Sequence, residues 1–228
     1  MNTTVPNPWI NLPDSAPYVL PDDASAIRAF NQRPQIKKEH RYEFTLLPEP
    51  FAGSPTAPVV VLTLNPGLNS KDFATHERPG FISRVRRSLA HELDDYPLYH
   101  FDPAMTTPAS EWWMKKSREL VEEVGVTAIA KGVISMQWFP YHTEEFRAPS
   151  LRLPSQTYTF YLLHQALERQ AEVVIMHSQE LWFRSVPELK GYPKIHKIKN
   201  ARNPTLSPGN LGDENFRTLC SRLISAES

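Results

Sequence analysis

Two asparagines, each followed by proline, are the residues whose type and setting could do chemistry in this chain. They are Asn65, in Asn65-Pro66-Gly67-Leu68, and Asn203, in Asn203-Pro204-Thr205-Leu206. A carboxamide offers one acceptor oxygen and one two-proton donor, so it can hold a water molecule or read the edge of a polar ring. It has no useful pKa and cannot draw a proton strongly from that water. Chemistry resting on Asn65 is therefore the placing of a nucleophile, with a modest rate.

Such side chains need a rigid mount, and the sequence supplies one. Val59 to Leu64 is a run of β-branched and apolar residues without alternation, which predicts a strand buried on both faces. Pro66 has no N–H for a sheet ladder and Gly67 readily takes positive φ, so the chain turns there and leaves the strand's C-terminal edge. Open α/β sheets build their sites at that edge. Asn203 follows a second strand-like stretch, Lys194 to Lys199, so two parallel strands would bring both asparagines to one rim.

The remaining elements are read in chain order. Residues 1–57 are expected to form an N-terminal arm with a short helix from Asp22 to Arg33 and an edge strand within Tyr42 to Leu47. Residues 58–228 are expected to form the main domain. Leu68 to Pro79 reads as a loop, and Phe81, Ile82, Val85, Leu89 and Leu93 recur at helical spacing. Arg84, Arg86 and Arg87 on that helix are either phosphate contacts or a solvated face. One helix is expected from Ser110 to a stop at Gly125. A strand follows from Gly132 to Gln137, then a helix from Ser155 to Gln170, a strand from Glu172 to Met176, and a last helix capped by Asp213. This order predicts parallel strands with right-handed crossovers and helices on both faces: an α/β fold, three-layer α/β/α, with a short four-stranded parallel sheet.

Composition adds bounds. Lys plus Arg equals Asp plus Glu at 25 each, so no global positive field advertises nucleic acid. Cys220 is the single cysteine and fits a core position. No leader or membrane-spanning run is visible, so a cytoplasmic location is expected. There is no Gly-x-Gly-x-x-Gly and no phosphate loop. Ser178 lacks the glycines of a nucleophile elbow. No His/Cys spacing suggests zinc, and one cysteine cannot ligate an iron-sulfur cluster, so no metal or cofactor is expected.

A strand leading into Asn-Pro-Gly-Leu-x-Ser near the start, with Asn-Pro-Thr near the end, resembles the uracil-DNA glycosylase superfamily, closest to the mismatch-specific uracil/thymine branch. The resemblance implies base excision from DNA: a monofunctional hydrolase that flips a uracil, or a damaged or mismatched base, and cuts its N-glycosidic bond. It implies that Asn65 positions the water and that the backbone of Pro66, Gly67 and Leu68 meets the base. The Asn203, Pro204 and Thr205 segment would support the leaving base, and Leu206 would fill the vacated stack. Gln137 would read the pyrimidine edge, and Phe139 or Tyr141 would stack on it. The expected partner is DNA or another nucleobase-containing ligand, met by a monomer away from any membrane. The rival is a non-catalytic nucleobase, nucleotide or nucleic-acid binder on the same fold. A hydrolase of small nucleosides is the third reading.

Overall fold

The computed structural model describes residues 4–149 and 152–226. The first three residues of the expected arm and the last two of the main domain lie outside them. Strands β1 (Phe51–Ala52), β2 (Val59–Thr63), β3 (Val133–Gln137), β4 (Glu172–Ile175) and β5 (Ile195–Lys197) form one sheet in the order β1-β3-β2-β4-β5. The four longer strands are parallel, as expected. The fifth, β1, pairs antiparallel with β3, so the sheet is mixed. The expected edge strand at Tyr42 to Leu47 is absent: that stretch makes a single bridge, Glu43 to His142, and the chain reaches the sheet only at Phe51.

Val59 to Thr63, Val133 to Gln137 and Glu172 to Ile175 are buried at every position, so both faces of the sheet centre are covered. This is why the strands read as unbroken apolar runs. Val60 sits between Ile134 and Val173, which makes β2 the central strand. From β2 the chain crosses to β3 on one side, and from β3 it returns across β2 to β4 on the other. Such a reversal opens a crevice at the strands' C-terminal ends.

The helices are α1 (Pro21–Asn31), α2 (Ser70–His76), α3 (Phe81–Leu89), α4 (Pro108–Lys116), α5 (Arg118–Val124), α6 (Val126–Gly132), α7 (Gln156–Glu168), α8 (Gln179–Ser185), α9 (Pro208–Leu211) and α10 (Asp213–Ser225). The expected loop after Leu68 contains α2, because Asn69 and Asp72 form a capping box. Asn69 Oδ1 accepts from Lys71 N–H, and Asp72 Oδ2 accepts from Asn69 N–H at 2.7 Å. The single helix expected from Ser110 breaks at Ser117, whose hydroxyl donates back to the Trp113 carbonyl, a bond that bends helices. Gly125, with φ 81°, ends α5 as expected, but α6 then fills the space before β3. The last helix is capped by Gly212, and Asp213 occupies its first turn.

The N-terminal segment belongs to the main core. Trp9, Leu12, Tyr18 and Leu20 are buried in the same cluster as the strands. Asp23, fully buried at the start of α1, accepts from the Tyr141 hydroxyl at 2.8 Å and from Ser155 N–H at 3.2 Å. These bonds pin α1 to the loop after β3 and to the start of α7. The α3 arginines are structural: Arg84 pairs with Asp94, Arg86 donates to the carbonyls of Leu12 and Pro13, and Arg87 lies 3.6 Å from Asp94.

Candidate functional site

Beyond Thr63 the chain leaves the sheet without losing its hydrogen bonds. Phe139 N–H donates to Leu64 O at 2.8 Å, and Trp138 N–H to Thr63 O at 3.3 Å, so the loop after β3 lies alongside the Asn65 turn. Gly67 bridges Thr143 in the parallel sense. It does not take the positive φ expected of it, because the segment runs extended beside Thr143 rather than turning sharply. His142 closes the clamp, with Nδ1 2.7 Å from Gly67 O and Nε2 3.0 Å from Leu47 O.

Asn65 is oriented by its own neighbour. Its Nδ2 donates to Pro66 O at 2.8 Å and lies 3.5 Å from Tyr141 O. Its Oδ1 has no donor among the described residues, so the acceptor end is left for a ligand or water. Pro66 itself is buried.

The turn opens on a cavity of about 490 Å³, which Asn65, Pro66, Gly67, Leu68 and Gln137 all line. That volume falls within the range of small-ligand pockets, about 300–1,000 Å³. Two larger hollows of about 500 and 520 Å³ lie elsewhere, one against α10 and one between the N-terminal segment and α3, and neither contains any residue expected at the site. Gln137, 7% exposed at the end of β3, accepts from the Thr63 hydroxyl at 2.6 Å through Oε1. Its Nε2 has no partner among the described residues, so it faces the cavity as a donor.

Three aromatic side chains form walls: Trp112 and Trp113 from α4, and Phe146 from the loop after β3. None was expected at the site. Phe139 and Tyr141, which were, are fully buried and do not line the cavity. Phe139 stacks on Tyr42 at 4.4 Å, and the Tyr141 hydroxyl is committed to Asp23 and Leu20 N–H. Proximity in sequence identified the right loop and the wrong ring: Phe146 packs on Phe139 and presents the surface that Phe139 cannot.

Sequence reasoning also missed Glu49, a carboxylate in the cavity lining. Its side chain is 14% exposed, Oε2 accepts from the Tyr99 hydroxyl at 2.7 Å, and Oε1 lies 3.1 Å from His100 Nε2. Burial pushes the carboxyl up, but the attraction and hydrogen bond of His100 and the Tyr99 hydroxyl outweigh it, holding the group down at about 2. His100 Nδ1 is buried with no partner among the described residues. The signal was a lone acid in Leu46-Leu47-Pro48-Glu49-Pro50-Phe51. His177 also lines the cavity, and burial, then the charge of Lys116, lowers its pKa.

The second Asn-Pro segment stands outside the cavity. Asn203 is exposed, and its Oδ1 accepts from Lys116 Nζ at 2.7 Å; Lys116 in turn lies 5.9 Å from the Trp112 ring centre. Pro204 is buried, and Thr205 Oγ1 is engaged by Asn210 Nδ2 and Ser207 Oγ. Leu206 is 1% exposed, with its N–H donating to Lys116 O. It is a core side chain and does not project from the rim, because the segment runs inward to start α9 rather than outward as a free loop.

Compared with known proteins, the chain matches no family model, no curated protein and no solved structure.

Proposed function

We propose that the chain is a DNA glycosylase with a three-layer α/β/α fold of the uracil-DNA glycosylase kind. It would remove uracil or a damaged or mismatched base by flipping it into the cavity beside Asn65. The observation that carries the reading is the Asn65 side chain: its donor end is tied to Pro66 O, and its acceptor end is open at a cavity of about 490 Å³. A water held by Oδ1 attacks C1′ of the sugar, the C1′–N bond breaks with its electron pair leaving on the base, and the water's extra proton passes to solvent. Asn65 places the water without deprotonating it.

Glu49 completes the site by its charge. A carboxyl held down at about 2 is a poor proton acceptor at neutral pH and a permanent anion, suited to facing an oxocarbenium-like sugar. Gln137 Nε2 supplies a donor to the base edge, and Phe146 or Trp112 a face for stacking. No step draws on a metal or cofactor. The protein is proposed to act as a cytoplasmic monomer on DNA; among the described residues no helix is long and apolar enough to cross a membrane.

A second reading is favoured by Leu206. With that side chain in the core, no residue of the expected segment can fill a vacated base stack, which suits a binder of a nucleobase, nucleotide or nucleic-acid end. The experiment that separates the two incubates the protein with labelled oligonucleotides carrying uracil, a G·U or G·T mismatch, hypoxanthine or an alkylated base, followed by alkaline cleavage. A product that vanishes in Asn65→Ala supports the glycosylase. A folded protein that yields no product on any of these substrates overturns the glycosylase reading for those bases and favours the binder, which a binding titration with the same oligonucleotides then checks.

A further inference from the structure

We propose that the cavity beside Asn65 selects a cationic aromatic base, the class formed when a ring nitrogen of a nucleobase is alkylated. The inference rests on the reading of the cavity as a base pocket and narrows what it takes.

Charge is the first ground. Two carboxylates, Glu49 and Asp72, line the cavity, and among the described lining residues there is no lysine or arginine. His177 has its pKa lowered by burial and by Lys116, which favours the uncharged ring at neutral pH. His142 has both ring nitrogens within hydrogen-bond distance of backbone carbonyls, those of Gly67 and Leu47, and so has neither to spare for a ligand. Lys116, outside the lining, donates to Asn203 Oδ1 and keeps its charge, with its ammonium 5.9 Å from the Trp112 ring centre. Glu49 has room for a ligand's charge, since a carboxylate accepts about four hydrogen bonds and Tyr99 and His100 supply two.

The walls are the second ground. Indole and phenyl faces attract cations, indole most strongly, and Trp112, Trp113 and Phe146 surround the same space as Glu49. Aromatic faces and a carboxylate lining one space suit a flat positive ring better than a neutral one.

The leaving group is the third. A neutral uracil takes the electron pair of the broken bond and departs as an anion beside the ionised carboxylate of Glu49. A base already alkylated at a ring nitrogen takes the same pair and departs neutral. The water oxygen bonds to C1′, its proton passes to solvent, and Glu49 remains ionised opposite the positive sugar. No acid is needed to neutralise the base.

The test uses an isomeric pair, 1-methyl-2′-deoxyadenosine, which is cationic at neutral pH, and N6-methyl-2′-deoxyadenosine, which is not. Binding is followed by calorimetry and by the fluorescence of the cavity tryptophans. The cationic isomer is expected to bind at least about tenfold more tightly, equivalent to about 1.4 kcal/mol, and Glu49→Gln is expected to bring the two within about twofold. Equal affinities in the wild type, tighter binding of the neutral isomer, or binding of neither overturns the proposal, whether or not the variant folds. Oligonucleotides carrying the same two bases or uracil give the second arm. Cutting of uracil alone overturns this inference and keeps the glycosylase reading. Preferential binding of the cation without cutting keeps the inference and removes the hydrolysis.

Discussion

Lys116 Nζ donates to Asn203 Oδ1 across 2.7 Å, so the second Asn-Pro turn is tied to the end of α4 and its carboxamide is not part of the lining of the cavity that Asn65 opens. Leu206 N–H donates to the carbonyl of the same lysine, which fixes the turn at two points. The two asparagines thus differ in their freedom: Asn65 keeps an open acceptor, and Asn203 has spent its own.

Asn203→Ala is therefore expected to do little. A largely exposed contact of this kind is worth about 0–1 kcal/mol, so the urea midpoint should move within that margin. Any base-releasing activity should fall far less than in Asn65→Ala. An equal loss of turnover in the two variants, with stability intact, would put Asn203 at the reacting centre after all.

Leu206→Ala tests the other half of the segment. A leucine 1% exposed leaves a cavity when truncated, and such changes cost about 2–5 kcal/mol. A loss of that size in chemical denaturation is expected. A neutral result would mean that Leu206 is free to leave the core, as a probe of the DNA stack would have to be.

The sheet was legible because its residues are committed to one environment. Val59 to Thr63, buried throughout, can be little else than a central strand. The ends of the helices were less so, since Ser117 breaks one through a side-chain bond that no periodicity reveals. At the site, the Asn65 turn and Gln137 were found because both follow strands directly. Glu49 and Trp112 were not, because each reaches the cavity from a segment away from both strand ends, and Phe146 was not, because nothing in its loop distinguishes it from Phe139; what marks all three is exposure to a shared space rather than any motif.

Two glycines make opposite predictions. Gly53 has φ 120°, and a Cβ there would lie 2.4 Å from Val133 O, so Gly53→Ala must strain the backbone and displace the β1–β3 edge. Gly67 does not take positive φ, and a Cβ there meets nothing within 4 Å. Gly67→Ala is expected to leave stability unchanged or raise it by about 0.4–1 kcal/mol, while weakening any ligand that sits against the turn. Thermal melts of the two variants give the first contrast, and a binding titration of Gly67→Ala gives the second.

Glu49 carries a pH signature whose sign follows from its environment. The folded carboxyl is held down at about 2 against an ordinary 4.5, so its stabilisation is present above the ordinary value and is lost as pH falls toward about 2. Glu49→Gln removes this charge and weakens the bonds from Tyr99 and His100, at a cost of about 1–3 kcal/mol near neutrality. Asp23 works in the opposite direction: burial raises its pKa, so its contribution is present at low pH and lost as pH rises through the folded value. The raw stability curve mixes the two, but Asp23 is common to wild type and variant and cancels in their difference. Urea midpoints taken from neutrality down to about pH 2 should show the gap between wild type and Glu49→Gln closing through the acidic range. A gap that stays constant would mean that the Glu49 carboxyl titrates normally, and the fixed anion assigned to the cavity wall would be lost with it.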